Sequence, residues 1–406
     1  MIDNRLSRFR RWFWRPPRAH GEVIHDRVVT GLELYYDLVY VAVIIQLAHH
    51  LSAHLDVRGV VEFAIVFALI FIAWVNGSLY VELHGHEDGR TRTIVFIQMG
   101  LLALLAAFIA DAANETGQAF TLTYAAFLAL LTWLWHSTRR QDRTELQDPA
   151  PAMRRYVRFM TIGVAAIAVA AFLPPDLRAA VWAAFAIAWV AGIWLTGRSA
   201  DGLPRGIAPT DALVERFGLL VIIVLGEVFF GVVNGLAAVN RDGLTIATGI
   251  VTLMLGFGMW WLYFDLVGRR MPRADGPALA AWMLWHLPLT LAIAAVGAAG
   301  TSLIEHARDA STPPGTAWVL AGSVAVGLLA LVMIERVIAD ASRLPSVYRP
   351  VGVATGLAAA AALGVAIIAP APWLLAGLLV AILVMLWLFT VARFMVAEGE
   401  VGSGSD

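Results

Sequence analysis

Leu213-Val-Glu215-Arg216-Phe-Gly-Leu-Leu-Val-Ile-Ile-Val-Leu-Gly-Glu227-Val-Phe-Phe-Gly-Val-Val-Asn-Gly-Leu236 decides what kind of protein this is. Beyond Arg216 the run carries one charged residue, Glu227. A helix rises about 1.5 Å per residue and a bilayer's hydrocarbon core is about 30 Å thick, so about 20 apolar residues are needed to cross it. The run meets that length. The same test worked outward predicts twelve spans: 31–51, 60–82, 93–112, 119–137, 156–173, 178–196, 213–236, 244–266, 279–303, 316–338, 351–369 and 372–395. Pro174-Pro175 and Pro370-Ala371-Pro372 leave such short connections that each flanking pair reads as a tight hairpin, and eleven or thirteen spans stay open.

Composition points the same way. Of 406 residues, 60% are hydrophobic and 15% charged, with a mean hydropathy of +0.74, which is far from the balance of a soluble domain. The expected fold class is an all-α integral membrane protein of about twelve transmembrane helices, with the lipid bilayer as its main solvent. A net charge of −1 offers no footprint for nucleic acid. The chain has neither Cys nor Lys, and all 29 basic residues are Arg. Disulfides, thiolate catalysis, Cys-held metal and lysine Schiff bases are therefore excluded, and no cofactor is implied.

Cytoplasmic loops collect positive charge. With the N-terminus inside, only Arg58, Arg178, Arg241 and Arg308 fall outside, and the remaining 25 of 29 arginines fall inside. This alternation supports an even number of spans with both termini cytoplasmic. Residues 1–30, rich in Arg and Trp, read as an interfacial patch or as an orientation signal, and their apolar run is too short for a signal peptide.

The second predicted span ends in Leu79-Tyr80-Val81-Glu82-Leu83 and the eighth in Leu262-Tyr263-Phe264-Asp265-Leu266, both L-Y-x-acid-L. Nearly the same interval separates Glu33 from Glu82 and Glu215 from Asp265. These echoes suggest two pseudo-repeated six-helix halves, 31–196 and 213–395, joined by a cytoplasmic linker over 197–212 and followed by a flexible tail over 396–406.

Three motifs also carry a family resemblance. They are Glu33-Leu-Tyr-Tyr-Asp37-Leu-Val-Tyr-Val, then Glu215-Arg216-Phe217-Gly218-Leu-Leu-Val-Ile-Ile-Val-Leu-Gly226-Glu227, then Trp260-Trp261-Leu-Tyr263-Phe264-Asp265. In this order they resemble the bacterial low temperature requirement A family, with Tyr35-Tyr36 standing where phenylalanine is commoner. The resemblance implies a multi-pass protein of the bacterial inner membrane. It supplies no reaction, since the family's name records a growth phenotype.

Function has to be sought in the polar groups inside the spans, where a charge costs roughly 2.5 to 3.5 kcal/mol even on insertion scales. Glu227 is the deepest acid. Arg216 shares its helical face but is eleven positions earlier, roughly 16 Å along the axis, so Glu227 needs a partner on another helix or a proton. The alternative is a structural acid that locks helices together. Glu33 and Asp37 share one face of the first span. Glu215, Arg216 and Asp265 fall at the same membrane level and read either as a gate of ion pairs or as ordinary charges at helix ends. His286 precedes Pro288, which frees a carbonyl and is expected to kink the helix. It is a candidate proton relay to Glu227 or a packed neutral histidine. Gln98 and Asn76 are further intramembrane polar candidates. Gln46, His49, His50 and His54 form one histidine group, and Glu82, His84, His86, Glu87 and Asp88 another. Neither has a recognised ligand spacing, so no metal site is assigned.

These features favour a proton-coupled secondary transporter of an unidentified small solute or ion. An ion channel or proton leak is the second reading. A membrane-embedded enzyme, or an assembly or sensor protein acting on lipids, is the third. No DDxxD or HExxH array appears, the HxxxH spacing occurs at His50 and His54 without a further ligand pattern, and no large catalytic loop is present, so the sequence points away from an enzyme. A homo-oligomer stays open.

Overall fold

The computed structural model describes residues 13, 17–18, 29–86, 88–145, 151–198 and 209–403. Most of the expected N-terminal patch, 199–208 of the expected linker and the last residues of the tail lie outside these. Among the described residues there is no strand, only one isolated antiparallel bridge between Pro272 and Ile338.

The long helices are α1 (Gly31–Ala53), α2 (Val57–His84), α3 (Gly89–Phe108), α4 (Gly117–Glu145), α5 (Pro151–Ala170) and α6 (Pro175–Arg198), then α7 (Asp211–Ala238), α8 (Gly243–Leu266), α9 (Gly276–Glu305), α10 (Pro314–Glu335), α11 (Pro345–Ile368) and α12 (Pro372–Ser403). Eleven are long and apolar enough to cross a membrane. The exception is α5, whose first turns hold Arg154, Arg155 and Arg158. Helix α12 runs on to Ser403, into the stretch expected to be a flexible tail. Helix α9 continues through Pro288 without a break.

Starts are set locally. A helix leaves its first N–H groups without intrahelical acceptors, and a short polar side chain before the first turn supplies them. Thr210 accepts from Leu213 N at 3.0 Å, Asp242 from Thr245 N at 2.9 Å and Asp275 from Ala278 N at 2.7 Å. Thr30 and Glu33 form a reciprocal capping box, in which Glu33 N donates to Thr30 Oγ1 at 3.3 Å and Thr30 N donates to Glu33 Oε2 at 3.0 Å.

The described residues divide into two compact units. One holds residues up to 46 and from 65 to 198; the other holds 47–64 and from 209 onward. In the first unit, Trp74 Nε1 of α2 donates to Asp37 of α1 at 2.9 Å, and Tyr124 of α4 donates to the Leu69 carbonyl of α2 at 2.8 Å. Phe159 of α5 stacks on Phe185 of α6.

In the second unit, α7 and α9 run side by side in the same direction. Phe217 meets His286, Glu227 and Gly231 meet Gly297, and Gly235 meets Ile304. The approach is so close that a Cβ added to Gly231 would lie 2.2 Å from the Gly297 carbonyl oxygen. Thr301 Oγ1 donates to the Gly231 carbonyl at 3.1 Å across the same seam. Small residues of this kind let backbones touch where lipid gives no hydrophobic drive between helices. Helix α8 lies antiparallel to both, with Gly256 under Val228 and Thr252 against Gly300.

Arginine side chains close several helix ends. Arg178 donates to the Ala113 and Asn114 carbonyls at 3.0 and 3.3 Å, Arg241 donates to the Leu236 carbonyl at 3.0 Å, and Arg308 pairs with Asp242. The hydrogen bond from the Thr245 backbone, and then Arg308, hold the Asp242 carboxyl down at about 2.

Two outcomes follow from this packing. Gly231→Ala should destabilise by about 1–3 kcal/mol, read as a lower melting temperature in detergent, whereas Gly226→Ala, with open space at its Cβ, should be tolerated. Because the folded pKa of Asp242 is depressed, its contribution is complete above the unfolded value of about 3.9 and is lost as pH falls through about 2. An acid melting series on Asp242→Asn should therefore show a shallower fall over that window than the parent chain.

Candidate functional site

Helix α7 buries one stripe, Arg216, Phe217, Leu220, Val224, Glu227, Val228, Gly231 and Gly235, and turns Ile222, Phe229, Phe230 and Val233 outward. Glu227 falls in the buried stripe, 4% exposed, one turn before Gly231. Its Cγ lies 2.9 Å from where a Gly297 Cβ would stand, so the glycine makes room for the acid. Its buried Oε2 has no hydrogen-bond partner among the described residues. This is a carboxyl group inserted where two helices nearly touch, with no cation beside it among the described residues.

His286 lies elsewhere in the same unit. It is fully buried and ringed by Phe217, Trp282 and Tyr263, with centroids 4.8, 4.7 and 5.8 Å away. Its Nδ1 is 2.7 Å from the Trp282 carbonyl, which can only accept, so Nδ1 carries a proton. Nε2 is then free to accept from the Tyr263 hydroxyl at 3.1 Å. The carbonyl used is that of Trp282, while Pro288 releases that of Leu284. Along α9 His286 is eleven residues from Gly297, the residue that faces Glu227, which is roughly 16 Å of helix. The structure does not bring the two together for a direct relay.

Asp37 is fully buried and accepts from Trp74. Beside it Tyr36 and Tyr40 share a hydrogen bond of 3.0 Å, and the Tyr36 hydroxyl rests on Gly77, where a Cβ would come within 2.8 Å. Glu33 is occupied by its capping box. Glu215 is exposed on α7, while Arg216 beside it is 1% exposed. Asp265 is also exposed and accepts from Trp387 Nε1 at 2.9 Å. Asn76 donates to the Ile72 carbonyl at 2.7 Å, and among the described residues its Oδ1 and the buried Gln98 Nε2 have no partner. His50 and His54 stack at 4.5 Å. Glu87 of the second histidine group lies outside the described residues, and among those described no three His, Asp or Glu side chains converge as a metal site.

The candidates thus fall into separate places. Glu33, Asp37, Asn76 and Gln98 are in the first unit, and Glu215, Arg216, Glu227, Asp265 and His286 are in the second. Sequence reading passed over Glu335, which is 4% exposed at the end of α10 and faces Gly352. At the edge of a predicted span, next to Arg336, it looked like an interfacial charge. It also passed over the Tyr263 to His286 bond, which no local spacing announces.

A family model described as bacterial low temperature requirement A protein (LtrA) matches residues 28–388. The chain belongs to the LtrA family. The matched region of this LtrA protein contains all three motifs and every helix from α1 to α11. No curated protein and no solved structure matches the chain.

Tyr263→Phe removes the one hydroxyl that satisfies His286 Nε2 and should lower stability by about 1–3 kcal/mol. Thermal unfolding in detergent measures it, and an unchanged melting temperature would show that the bond is dispensable.

Proposed function

We propose that this LtrA-family protein is a proton-coupled secondary transporter of the bacterial inner membrane, moving a small solute or ion. In this reading it is built as two six-helix halves with both termini cytoplasmic, and Glu227 is the group that takes up and releases the proton. The observation that carries the reading is the Glu227 carboxyl: buried on the α7 to α9 seam, with Oε2 unpartnered among the described residues. An acid at such a place is costly. A glutamine would hold two helices together at lower cost, so what the carboxyl adds is an exchangeable proton. A seam held by Gly231, Gly235 and Gly297 also lets two backbones slide or part with little side-chain interlocking, which suits alternating exposure of one site.

The test uses proteoliposomes loaded with a pH-sensitive dye and challenged with a panel of small solutes. The parent protein should move protons only when its solute is present, and Glu227→Gln should cut that flux at least 100-fold while inserting and melting as the parent does. Unchanged coupled flux in Glu227→Gln would falsify the mechanism. Proton flux with no solute present would replace the transporter by a leak.

A further inference from the structure

Arg90, the second residue of α3, is only 5% exposed. Its guanidinium donates to Ser137 Oγ of α4 at 2.8 Å and stands over the Trp133 ring at 5.9 Å. Ser137 spends its own proton on the Leu134 carbonyl at 2.7 Å. One neutral acceptor therefore meets a side chain with five N–H donors, and among the described residues no carboxylate lies at ion-pair distance from it. Asp88, two residues earlier, caps α3 by accepting from Thr91 N at 2.9 Å.

Two further donors belong to the same cluster. The Tyr80 hydroxyl of α2 lies within reach of the Arg90 guanidinium and of Ser137, in the field of the Asp88 carboxylate, without a close hydrogen bond among the described residues. Trp135 of α4 stands edge-on to Tyr80 at 5.7 Å, and its buried Nε1 has no acceptor among the described residues. Tyr80 is 4% exposed and Trp135 3%. His84, the titratable group on the same rings at 5.8 and 5.5 Å, has its Nδ1 against the Arg18 carbonyl at 2.8 Å. Among the described residues, a buried cation and two donors without close partners, drawn from three helices, outnumber the acceptors that meet them. A buried guanidinium without an anion is unfavourable, and a phosphate or carboxylate group satisfies its planar fork.

We propose that Arg90, Tyr80 and Trp135 form an oxyanion-binding site in the first unit, taking a phosphate-type group from an anionic lipid headgroup or from a free small anion. The site contains no group used in the Glu227 reading and stands or falls separately from it. It lies where α2 closes and α3 opens, at the end of two spans, where both sources are within reach.

The experiment takes the full-length protein into nanodiscs of phosphatidylcholine, with and without phosphatidylglycerol. Native mass spectrometry reads retained lipid, and thermal shift reads binding of inorganic phosphate. Arg90→Gln should weaken whichever ligand binds by about tenfold or more, and Tyr80→Phe, which removes only an oxygen, by about fivefold. Arg58→Gln, at an exposed pair with Glu62, should bind as the parent does. Phosphatidylglycerol retention without a phosphate response assigns the site to a headgroup; a phosphate response in pure phosphatidylcholine assigns it to a free anion. Either outcome supports the site. If neither ligand binds the parent more tightly than Arg90→Gln, or if a folded Tyr80→Phe binds like the parent, the proposal is overturned.

Discussion

A backbone that enters hydrocarbon finds no water, so each crossing segment must close its hydrogen bonds within itself. The helices obey this down to their side chains. Thr93, Thr121, Thr132, Thr248, Thr252, Thr290, Thr355 and Thr390 each turn the hydroxyl back to the carbonyl four residues earlier. That geometry satisfies the polar group without help from a neighbouring helix. Ends are closed by Thr30, Asp88, Thr210, Asp242 and Asp275 at the starts and by arginines reaching over terminal carbonyls.

With backbones satisfied and lipid as apolar as leucine, helices associate by fit. The second unit achieves this through glycine. Gly231 on Gly297, Gly256 under Val228 and Gly327 on Met259 bring α7, α8, α9 and α10 closer than side chains would permit. The first unit relies more on rings and polar pairs: Asp37 with Trp74, Tyr124 on a backbone carbonyl, and Tyr80 packed against Trp135. These are different solutions to one problem, and they leave different residues unsatisfied. In the second unit these include an acid, Glu227; in the first they include the donors of Tyr80 and Trp135 near Arg90.

The seam explains why Glu227 is informative and Glu215 is not. Both belong to one motif on one helix, but Glu215 faces outward in the second turn while Glu227 falls on the stripe that meets α9. Similarly, the two L-Y-x-acid-L ends look alike as strings, yet Glu82 is 8% exposed and Asp265 is open on the surface and bonded to Trp387. His286 shows the same point from the other side. A histidine near a proline suggested a relay, but the ring is held by Trp282 and Tyr263 far along α9 from the acid.

What the sequence determined by itself is what depends on one segment at a time. Apolar length gave the helices, the three motifs gave the family, and Thr30 and Glu33 stand at the spacing of the capping box that the structure contains. These properties follow from the local solvent and the local backbone. Tertiary structure alone decided which polar groups are buried and which are satisfied. Burial of Glu227 requires Gly297 on a helix far along the chain, and the surroundings of Arg90 require Tyr80, Trp133 and Ser137 to arrive from two other helices. Neither is encoded in spacing, because contact between helices depends on which faces meet and on how closely small residues let them approach.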